Sequence, residues 1–562
     1  MIKNKKKQTA IEEALASSRF VVKFILLFGF LINLLMLSTP LFSMQVLDRV
    51  ISTSNLQTLI MMILLGLLAL TLLSLLQTAR SLAMSKLGTW FENELSEVIL
   101  LGIFQQSFEL RSVANSQSLR DLQTIKAFIS GPNLIVVMDM PWALIFISVL
   151  FMLHFKIGCL ALISVIVLVL FTIVVDRHTK PLMVSNNNNL IDSMRYADQA
   201  IKNAEVIQAM GMKKNVINSW QVLNKKVRYT QDLVTKKRVI FTEFAKFFRL
   251  IVQISVTSLG AYLVIKGELS TGAIIASSSL VGRALAPFES AVNSSKTFVK
   301  CYASYQRLKN VLYVFSKDSK KMKLPNPMGK IDVENLSLAL PGMQKYTLRN
   351  INFTLDAGEV LAIIGASASG KTTLAKLLVG TQPASIGSIR IDGADLRDYC
   401  NGDLGKSIGY LPQEIGLFSG TIEENIARMN TNPNHEDVIE AAQLAGVHNM
   451  ILGMPGGYNF HVGFDGAVLS GGQKQRIGLA RAFYGQPKFI VLDEPNANLD
   501  VNGEEALVTA IAIAKERKIT MVIISHKSTV LNYVDKIMVL KDGAVQSFGL
   551  KKEILEKHGR KR

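Results

Sequence analysis

Eight residues, Gly365-Ala366-Ser367-Ala368-Ser369-Gly370-Lys371-Thr372, lie between the apolar run Leu361–Ile364 and the helix-like run Thr372–Val379. They match the pattern Gly-x4-Gly-Lys-Ser/Thr. In this pattern, backbone N–H groups of the loop and of the following helix N-terminus surround phosphate oxygens. Lys371 is expected to reach the outer phosphates and the Thr372 hydroxyl to bind Mg²⁺. The sequence therefore predicts a phosphate-binding loop between a buried strand and a helix.

An acidic pair, Asp493 and Glu494, follows a second apolar run, Phe489–Leu492. These runs and a third, Thr520–Ile524, alternate with helical stretches, which predicts a parallel sheet flanked by helices. Asp493 is expected to hold Mg²⁺ through water, and Glu494 to act as the general base on the attacking water. Together with the phosphate loop, the pair predicts an ATP-hydrolysing enzyme with ATP and Mg²⁺ as cofactors.

The first 300 residues have a different, apolar character. Hydrophobic residues make up 49% of the 562-residue chain, and the mean hydropathy is +0.30. A bilayer core of ~30 Å needs about 20 apolar residues per helix. Six runs reach this length: 20–45, 55–78, 134–154, 157–176, 246–266 and 271–292. The last two contain serine, glycine and charged residues, and they can span if their polar faces pack against other helices or line a cavity.

Basic residues alternate between the two ends of these spans. The regions 1–19, 79–133 and 177–245 are rich in Lys and Arg, whereas the other connections are only a few residues long. Because Lys and Arg accumulate in cytoplasmic loops, both termini are expected in the cytoplasm. This topology also explains the net charge of +19. The two long connections are expected to be helices that extend from the membrane and end in elbows, roughly at 105–130 and 205–225.

Four parts are predicted along the chain. They are a basic cytoplasmic N-terminus (1–19), a transmembrane domain (20–300), a linker (301–328) and an ATP-hydrolysing domain (329–562). The linker is indicated by a Lys-rich run, Ser316–Met328, that contains two prolines. The predicted fold class is a multi-domain membrane protein, with an all-α domain of six transmembrane helices and an α/β phosphate-loop domain.

Three charged residues, Asp139, Arg283 and Glu289, fall within or near the predicted spans. Charges in a membrane are costly and often functional. One interpretation pairs Asp139 with Arg283 or places them along a polar path. The other places each residue at a membrane interface, with Arg283 extended towards water.

Further motifs resemble those of a known protein family. The run Leu469-Ser470-Gly471-Gly472-Gln473 resembles the signature of ATP-binding-cassette (ABC) proteins. Gln413 resembles the family's Q-loop glutamine, which senses Mg²⁺ and faces the membrane domain, and His526 resembles its switch histidine near the γ-phosphate. Asn498-Leu499-Asp500 resembles the D-loop. These motifs occur in the family's order, so the resemblance covers the whole soluble domain.

This resemblance implies a head-to-tail homodimer with twofold symmetry. ATP is then expected between Lys371 of one copy and Ser470 of the other, because N–H groups at a helix start near Gln473 can hold an anion. The expected catalytic residues are Glu494, His526 and Gln413, and the expected Mg²⁺ ligands are Thr372, Gln413 and Asp493. The expected ATP-contacting residues are Gly365, Ala366, Ser367, Ala368, Ser369, Gly370, Lys371, Thr372, Thr373, Ser470, Gly471, Gly472, Gln473 and Asp500.

The membrane half narrows the resemblance to type I secretion exporters of the protease and lipase branch. The runs that carry it are Asp139-Met140-Pro141-Trp142, Asn203-Ala204-Glu205, Met210-Gly211-Met212, Lys266-Gly267-Glu268-Leu269-Ser270-Thr271-Gly272, Arg283-Ala284-Leu285-Ala286-Pro287 and Asp493-Glu494-Pro495-Asn496-Ala497-Asn498-Leu499-Asp500. It implies export of an unfolded polypeptide with an uncleaved C-terminal signal through the inner membrane. The implied partners are a second copy of the chain, a periplasmic adaptor, an outer-membrane tunnel protein, the cargo and the lipid bilayer.

The sequence departs from the family pattern at three places. Leu340 stands where many ABC proteins stack an aromatic residue on adenine, and Tyr346 is the nearest aromatic substitute. Ala368 occupies a loop position that is often glycine, so a positive φ there implies strain. Phe464-Asp465 replaces a glutamate that many ABC exporters have before the signature.

Two other functions are alternatives to protein export. An exporter of lipids, drugs or short peptides has the same ATPase motifs, and only the membrane half and its partners discriminate between the two. A membrane-anchored ATPase acting on DNA or ribosomes suits the basic charge. Six spans exceed what an anchor needs, and no basic-aromatic stripe for nucleic acid is visible, so no nucleic-acid partner is expected.

Overall fold

The computed structural model of the protein describes residues 10–110, 117–315, 325, 327–339, 346–399, 401–463, 466–525 and 527–559. The chain divides into two compact units. The first is built from the helices between Ala10 and Phe315, and the second contains the described strands and the helices from Lys371 onward. The four predicted domain ranges stay predictions. One helix, Thr271–Phe315, continues across residue 300, so part of the predicted linker is helical.

Long helices dominate the first unit. Its helices in the described residues are α1 (Ala10–Ser17), α2 (Arg19–Leu35), α3 (Ser38–Gln45), α4 (Ile51–Thr53), α5 (Leu56–Leu110), α6 (Gln117–Ser130), α7 (Pro132–Asp139), α8 (Ala143–Leu153), α9 (Phe155–Lys202), α10 (Ala204–Ala209), α11 (Lys213–Ile265) and α12 (Thr271–Phe315). The expected helical extensions are present in α5, α9 and α11. The short helix α10 turns the chain between α9 and α11, within the second predicted elbow. The first predicted elbow lies partly outside the described residues.

Five stretches in the described part of the chain are long and apolar enough to cross a membrane. They are Arg19–Thr53, Leu56–Gln106, Pro132–Leu153, Phe155–Lys202 and Lys213–Ile265. In α5, the side chains of Leu65 and Leu75 are 63% and 62% exposed. A continuous apolar surface of this kind is expected to face lipid rather than water.

The sixth predicted span, 271–292, is helical but does not belong to this apolar group. It lies in α12, whose Leu280 and Ala284 are fully buried in one core with side chains of α8, α9 and α11. Neighbouring helices therefore shield α12, which allows it to carry more polar residues than a lipid-facing span.

The charged residues of the membrane unit have partners other than those proposed above. Asp139 pairs with Arg80 of α5 at 2.8 Å, and it also lies 3.4 Å from the amide of Asn33. Arg283 instead donates to the carbonyl of Met36 at 2.8 Å. The suggested Asp139–Arg283 pair is therefore wrong, because the last turn of α7 lies against α5 and α2. Glu289 pairs with Arg249 of α11 at 2.9 Å.

A buried clasp joins α6 to the far end of α12. The carboxylate of Asp121 is 2% exposed, and it accepts two hydrogen bonds of 2.7 Å from Arg307. Ser304 and Gln117 also donate to Asp121, at 2.9 and 3.2 Å. Bidentate arginine–carboxylate pairs of this kind fix orientation as well as distance.

Two sheets form the second unit. The strands are β1 (Ile331–Ala339), β2 (Tyr346–Leu355), β3 (Val360–Ile364), β4 (Ile386–Ile391), β5 (Ala394–Asp395), β6 (Ile408–Leu411), β7 (Phe489–Asp493), β8 (Thr520–Ile524), β9 (Lys536–Lys541) and β10 (Ala544–Leu550). One sheet has the order β10-β9-β3-β8-β7-β6, and the other has the order β2-β1-β4-β5. Strands β9, β3, β8, β7 and β6 are parallel, which confirms the predicted α/β fold.

Helices flank the parallel sheet. They are α13 (Lys371–Leu378), α14 (Asn401–Ser407), α15 (Ile422–Ile426), α16 (His435–Leu444), α17 (His448–Leu452), α18 (Gly471–Phe483), α19 (Val501–Glu516), α20 (Ser528–Leu531) and α21 (Lys551–Gly559). Successive side chains of a strand point to opposite faces. Accordingly, Met521 and Ile523 of β8 enter one core, whereas Val522 and Ile524 enter the other. Burial on both faces explains why these strands are continuous apolar runs.

Breaking the clasp on Asp121 should destabilise the protein. Arg307→Met leaves a buried carboxylate without its cation, and we expect a loss of about 3 kcal/mol in the free energy of unfolding. Arg195→Met is the control, because its 3.8 Å pair with Asp192 is exposed and should contribute less than about 0.5 kcal/mol. Thermal unfolding of the purified chain measures both. Equal losses for the two variants would contradict the assignment of the clasp.

Candidate active site

The phosphate loop leaves the carboxyl end of β3 and enters α13 through Gly370, whose φ is 101°. Gly365 must be glycine, because a Cβ there would lie 2.2 Å from the carbonyl oxygen of Leu540. The ammonium group of Lys371 donates to the carbonyls of Gly365 and Ala366, at 2.8 and 2.9 Å. Lys371 is only 6% exposed, so its charge is held on the inside of the loop.

Two further features of this loop match the prediction of an anion site. Ala368 has a φ of 63°, a left-handed conformation that is strained for a residue with a Cβ. The hydroxyl of Ser369 is buried and has no hydrogen-bond partner among the described residues. Buried hydroxyls without a partner are uncommon in proteins, and a phosphate oxygen can provide the missing acceptor. Thr373 lies in the first turn of α13, and Ser367 lies in the loop itself.

Asp493 ends β7 and is 1% exposed. Neither of its carboxylate oxygens has a hydrogen-bond partner of normal geometry in the described part of the chain. Burial raises the pKa of this carboxyl group above its usual range, and the nearby Thr372 hydroxyl partly opposes that shift. A cation can relieve this burial of an unpaired acid.

The oxygen atoms around Asp493 suit Mg²⁺, which prefers hard oxygen ligands. The Thr372 hydroxyl donates to the Gln413 carbonyl oxygen at 3.4 Å. The described residues contain no group of three or more His, Cys, Asp or Glu side chains that could hold a metal. Mg²⁺ sites often use few protein ligands and take the rest from water and phosphates, and the residues present fit that kind of site.

Gln413 joins two other predicted site residues, Thr372 and Glu494. It follows β6, accepts from Thr372 and donates to the carboxylate of Glu494 at 3.3 Å. The backbone of Glu494 has a φ of 51°. A left-handed conformation in a non-glycine residue costs of order 1–3 kcal/mol, and it often occurs at functional sites.

The signature run begins α18. Ser470 is the N-cap, and its hydroxyl accepts a 3.3 Å hydrogen bond from the N–H of Gln473. The Gln473 side chain accepts in return from the N–H of Ser470 at 2.9 Å. This capping box confirms the predicted helix start and leaves Gly471 and Gly472 in the first helical turn.

Asp500 has a structural role that the sequence did not indicate. It caps α19 by accepting from the N–H of Gly503 at 2.9 Å, and it pairs with Arg476 of α18 at 3.1 Å. Gln475, a buried neighbour of Arg476, was not among the predicted site residues. The only sign of Gln475 in the sequence was a polar residue on the apolar face that α18 turns inward.

Several predicted features lie outside the described residues. His526 is one of them, although Ser525 and Lys527 on either side are described. Leu340, the expected adenine-stacking position, and the run Phe464-Asp465 are the others. Tyr346, the substitute aromatic residue, is the first residue of β2 and is 41% exposed.

The fold and the site define a phosphate-loop ATPase that carries apolar helices of membrane-spanning length. Residues 348–497 match the family described as ABC transporter, and residues 22–287 match the ABC transporter transmembrane region. The type I secretion system ATP-binding protein PrsD of Rhizobium meliloti (strain 1021) is 36% identical over 93% of this chain and 90% of its own length. The α-hemolysin translocation ATP-binding protein HlyB of Escherichia coli O157:H7 is 29% identical, over 94% of this chain and 75% of its own length.

A solved structure of a bacterial Atm1-family ABC exporter with ATP bound has a TM-score of 0.83 to this chain. It covers 97% of each chain at 20% identity, so it supports the fold alone. The chain belongs to the ABC transporter family. It is a multi-pass membrane protein with an α-helical membrane region and an α/β ATPase domain, and it couples ATP hydrolysis to transport.

Removing the charge of Asp493 should increase the stability of the free protein and abolish its stabilisation by Mg²⁺ and ATP. Its folded pKa lies above the unfolded value, so the unfolded chain loses this proton at lower pH. Stability therefore falls as the pH rises above the unfolded pKa, and the loss is complete once the pH exceeds the folded pKa and the buried carboxylate is ionised. At neutral pH, Asp493→Asn should raise the free energy of unfolding by about 1–3 kcal/mol without nucleotide. It should also remove the stabilisation that Mg²⁺ and ATP give.

Thermal unfolding with and without Mg²⁺ and ATP measures both effects. Asp356→Asn serves as the control, because the Asp356 side chain is 74% exposed, and it should leave both values unchanged. An Asp493→Asn variant that is less stable than the unaltered chain, or that is still stabilised by Mg²⁺ and ATP, argues against this assignment.

Proposed function

We propose that this chain is one half of a homodimeric type I secretion exporter. It uses ATP to move an unfolded polypeptide with a C-terminal secretion signal across the inner membrane. The single observation that carries the proposal is the 36% identity to PrsD over 90% of that protein's length. This identity includes the membrane half, where exporters of different cargo are expected to differ.

The proposed ATP site is shared between two copies. Lys371 and the phosphate-loop N–H groups bind the phosphates from one side, and Ser470 with the start of α18 binds them from the other. Within one chain, the side-chain partner of Ser470 is Gln473, and Lys371 bonds to its own loop. Among the hydrogen bonds of the described residues, none joins Ser470 to Lys371 of the same chain. This is expected if a second copy completes the site.

Within each proposed site, the residues divide the work of phosphoryl transfer. Glu494 accepts the proton of the attacking water, and Gln413 holds the Glu494 carboxylate in place. Thr372, Gln413 and Asp493 provide oxygen ligands for Mg²⁺, which neutralises phosphate charge when bound. His526 is proposed to contact the γ-phosphate.

The proposed orientation puts both termini and the ATPase domain in the cytoplasm, as the alternation of basic loops indicates. A periplasmic adaptor and an outer-membrane tunnel protein then continue the path for the cargo. Closure of the two ATPase domains is proposed to pull the elbows near 105–130 and 205–225 and to reorient the membrane helices.

Glu494→Gln should bind ATP normally but hydrolyse it at least about 100-fold more slowly, because the general base is lost. ATP turnover and nucleotide binding by the purified chain in detergent measure the two effects. Lys371→Ala is the matched comparison, and it should weaken nucleotide binding itself. Turnover by Glu494→Gln within a few-fold of the unaltered chain contradicts the role of Glu494.

Three measurements test the class of cargo: copurification, the effect of a peptide on the ATPase rate, and secretion from cells. The chain should copurify with an adaptor protein, and its ATPase rate should change in the presence of a peptide from the C-terminus of a secreted protein. Cells carrying Glu494→Gln should keep that cargo inside. Stimulation by lipid alone, with no effect of the peptide, would instead favour an exporter of lipids or other small molecules.

A further inference from the structure

A buried glutamine, Gln475, lies on α18, between the signature serine Ser470 and the turn that contains Glu494. It is 3% exposed and stands five residues after Ser470 in the sequence. A carboxamide in a protein interior is unfavourable unless both of its ends are hydrogen-bonded. Its presence within an otherwise apolar helix face therefore needs a physical reason.

Both ends of the Gln475 carboxamide bond to backbone groups next to the general base. Its Nε2 donates to the carbonyl of Glu494 at 3.0 Å, and its Oε1 accepts from the N–H of Asn498 at 3.1 Å. A carbonyl only accepts and an N–H only donates, so these partners fix the orientation of the carboxamide. One side chain thus connects α18 to both ends of the turn that follows β7.

These bonds act on a strained position. Glu494 has its left-handed φ of 51°, and such a conformation persists only where the surroundings hold it. The N–H of Glu494 donates to the carbonyl of Ile524 at 3.0 Å, and Gln475 holds its carbonyl. The backbone that aims the Glu494 carboxylate is therefore fixed on one side by β8 and on the other by α18.

The same turn is also bonded to Ser525, the residue that follows β8. Asn496 accepts from the hydroxyl of Ser525 at 3.0 Å, and Ser525 immediately precedes His526 in the sequence. Gly472 of α18 fits closely against the turn, because a Cβ there would lie 2.7 Å from the carbonyl oxygen of Asn498. The first turns of α18 and the residues around Glu494 therefore form one packed assembly.

We infer that Gln475 is a positioning residue that couples the two ATP sites of the dimer. The inference rests on the proposed function, in which Ser470 of one copy contacts the ATP whose phosphates the other copy's Lys371 holds. A displacement of α18 when Ser470 engages that ATP is passed through Gln475 to Glu494, which acts on the ATP of its own copy. Occupation of one site thereby sets the alignment of the general base in the other.

The test uses the full-length chain in lipid nanodiscs, with ATPase rate measured against ATP concentration. The unaltered chain should give a Hill coefficient above 1. Gln475→Met removes both hydrogen bonds, and it should lower kcat at least tenfold and bring the Hill coefficient to 1. Equilibrium ATP binding should change less than twofold, because the two hydrogen bonds of Gln475 go to the turn after β7 and not to the phosphate loop.

A second variant distinguishes positioning from folding. In Gln475→Glu, an ionised carboxylate oxygen faces the Glu494 carbonyl, whereas the protonated acid can donate to it as the amide does. The kcat of Gln475→Glu, relative to the unaltered chain, should therefore rise as the pH is lowered from about 8 to about 6. This variant also keeps the proposal testable if Gln475→Met fails to fold.

Tyr399→Phe is the control for loss of a buried hydrogen bond. The Tyr399 hydroxyl donates to the Ile391 carbonyl at 3.1 Å in the other sheet, and its loss should leave the Hill coefficient and kcat unchanged. If the unaltered chain is cooperative and both Gln475 variants match it, the inference is wrong and the proposed dimer stands. A strictly monomeric unaltered chain with a Hill coefficient of 1 overturns the proposed dimer and the inference together.

Discussion

The register of the parallel sheet is the constraint on which the ATP site depends. Strand β8 lies between β3 and β7, and its last residue, Ile524, pairs with Ile363 on one side and with Asp493 on the other. The two flanking strands therefore end at the same level. The phosphate loop that leaves β3 and the acids that end β7 consequently meet at one edge of the sheet, as ligand sites in open α/β sheets do.

The site so formed is locally unfavourable in several respects. Asp493 is a buried acid without a hydrogen-bond partner among the described residues, and Ala368 and Glu494 both have left-handed backbones. The two buried hydrophobic cores on either side of the sheet supply the stability that tolerates this strain. These unpaired polar atoms point into one place, and a charged ligand with a bound cation can provide their missing partners.

Local patterns in the sequence predicted much of this arrangement. The run Thr520–Ile524 is a strand with the predicted bounds, and the run Leu361–Ile364 belongs to a strand that begins one residue earlier, at Val360. Both were recognisable because strands buried on both faces are continuous apolar runs. The helix after the signature was also predictable, since serine followed three residues later by glutamine is a capping pattern. The phosphate loop carries its own chemistry in consecutive residues, so no tertiary information was needed to find it.

What the sequence could not predict depends on contacts between distant residues. Asp139 has a partner 59 positions away, Arg80, and nothing in either local pattern selects it over Arg283. Gln475 and Asn498 are 23 positions apart, and a single buried amide gives no periodic signal. The last helix of the membrane unit, α12, passes residue 300 without a break. Beyond that residue it packs against α6 and α1, and these contacts between distant parts of the chain leave no local pattern in the sequence.

If two copies share each ATP, a disulfide cross-link between the two halves of the site should form only between copies. One tagged copy carries Ser367→Cys and a differently tagged copy carries Ser470→Cys, both with Glu494→Gln and without the native cysteines. We expect oxidation with ATP to join the two tags in one disulfide-linked product, and little of that product to form without ATP. The absence of such a product with ATP, together with an internal disulfide in a single copy that carries both cysteines, would contradict it.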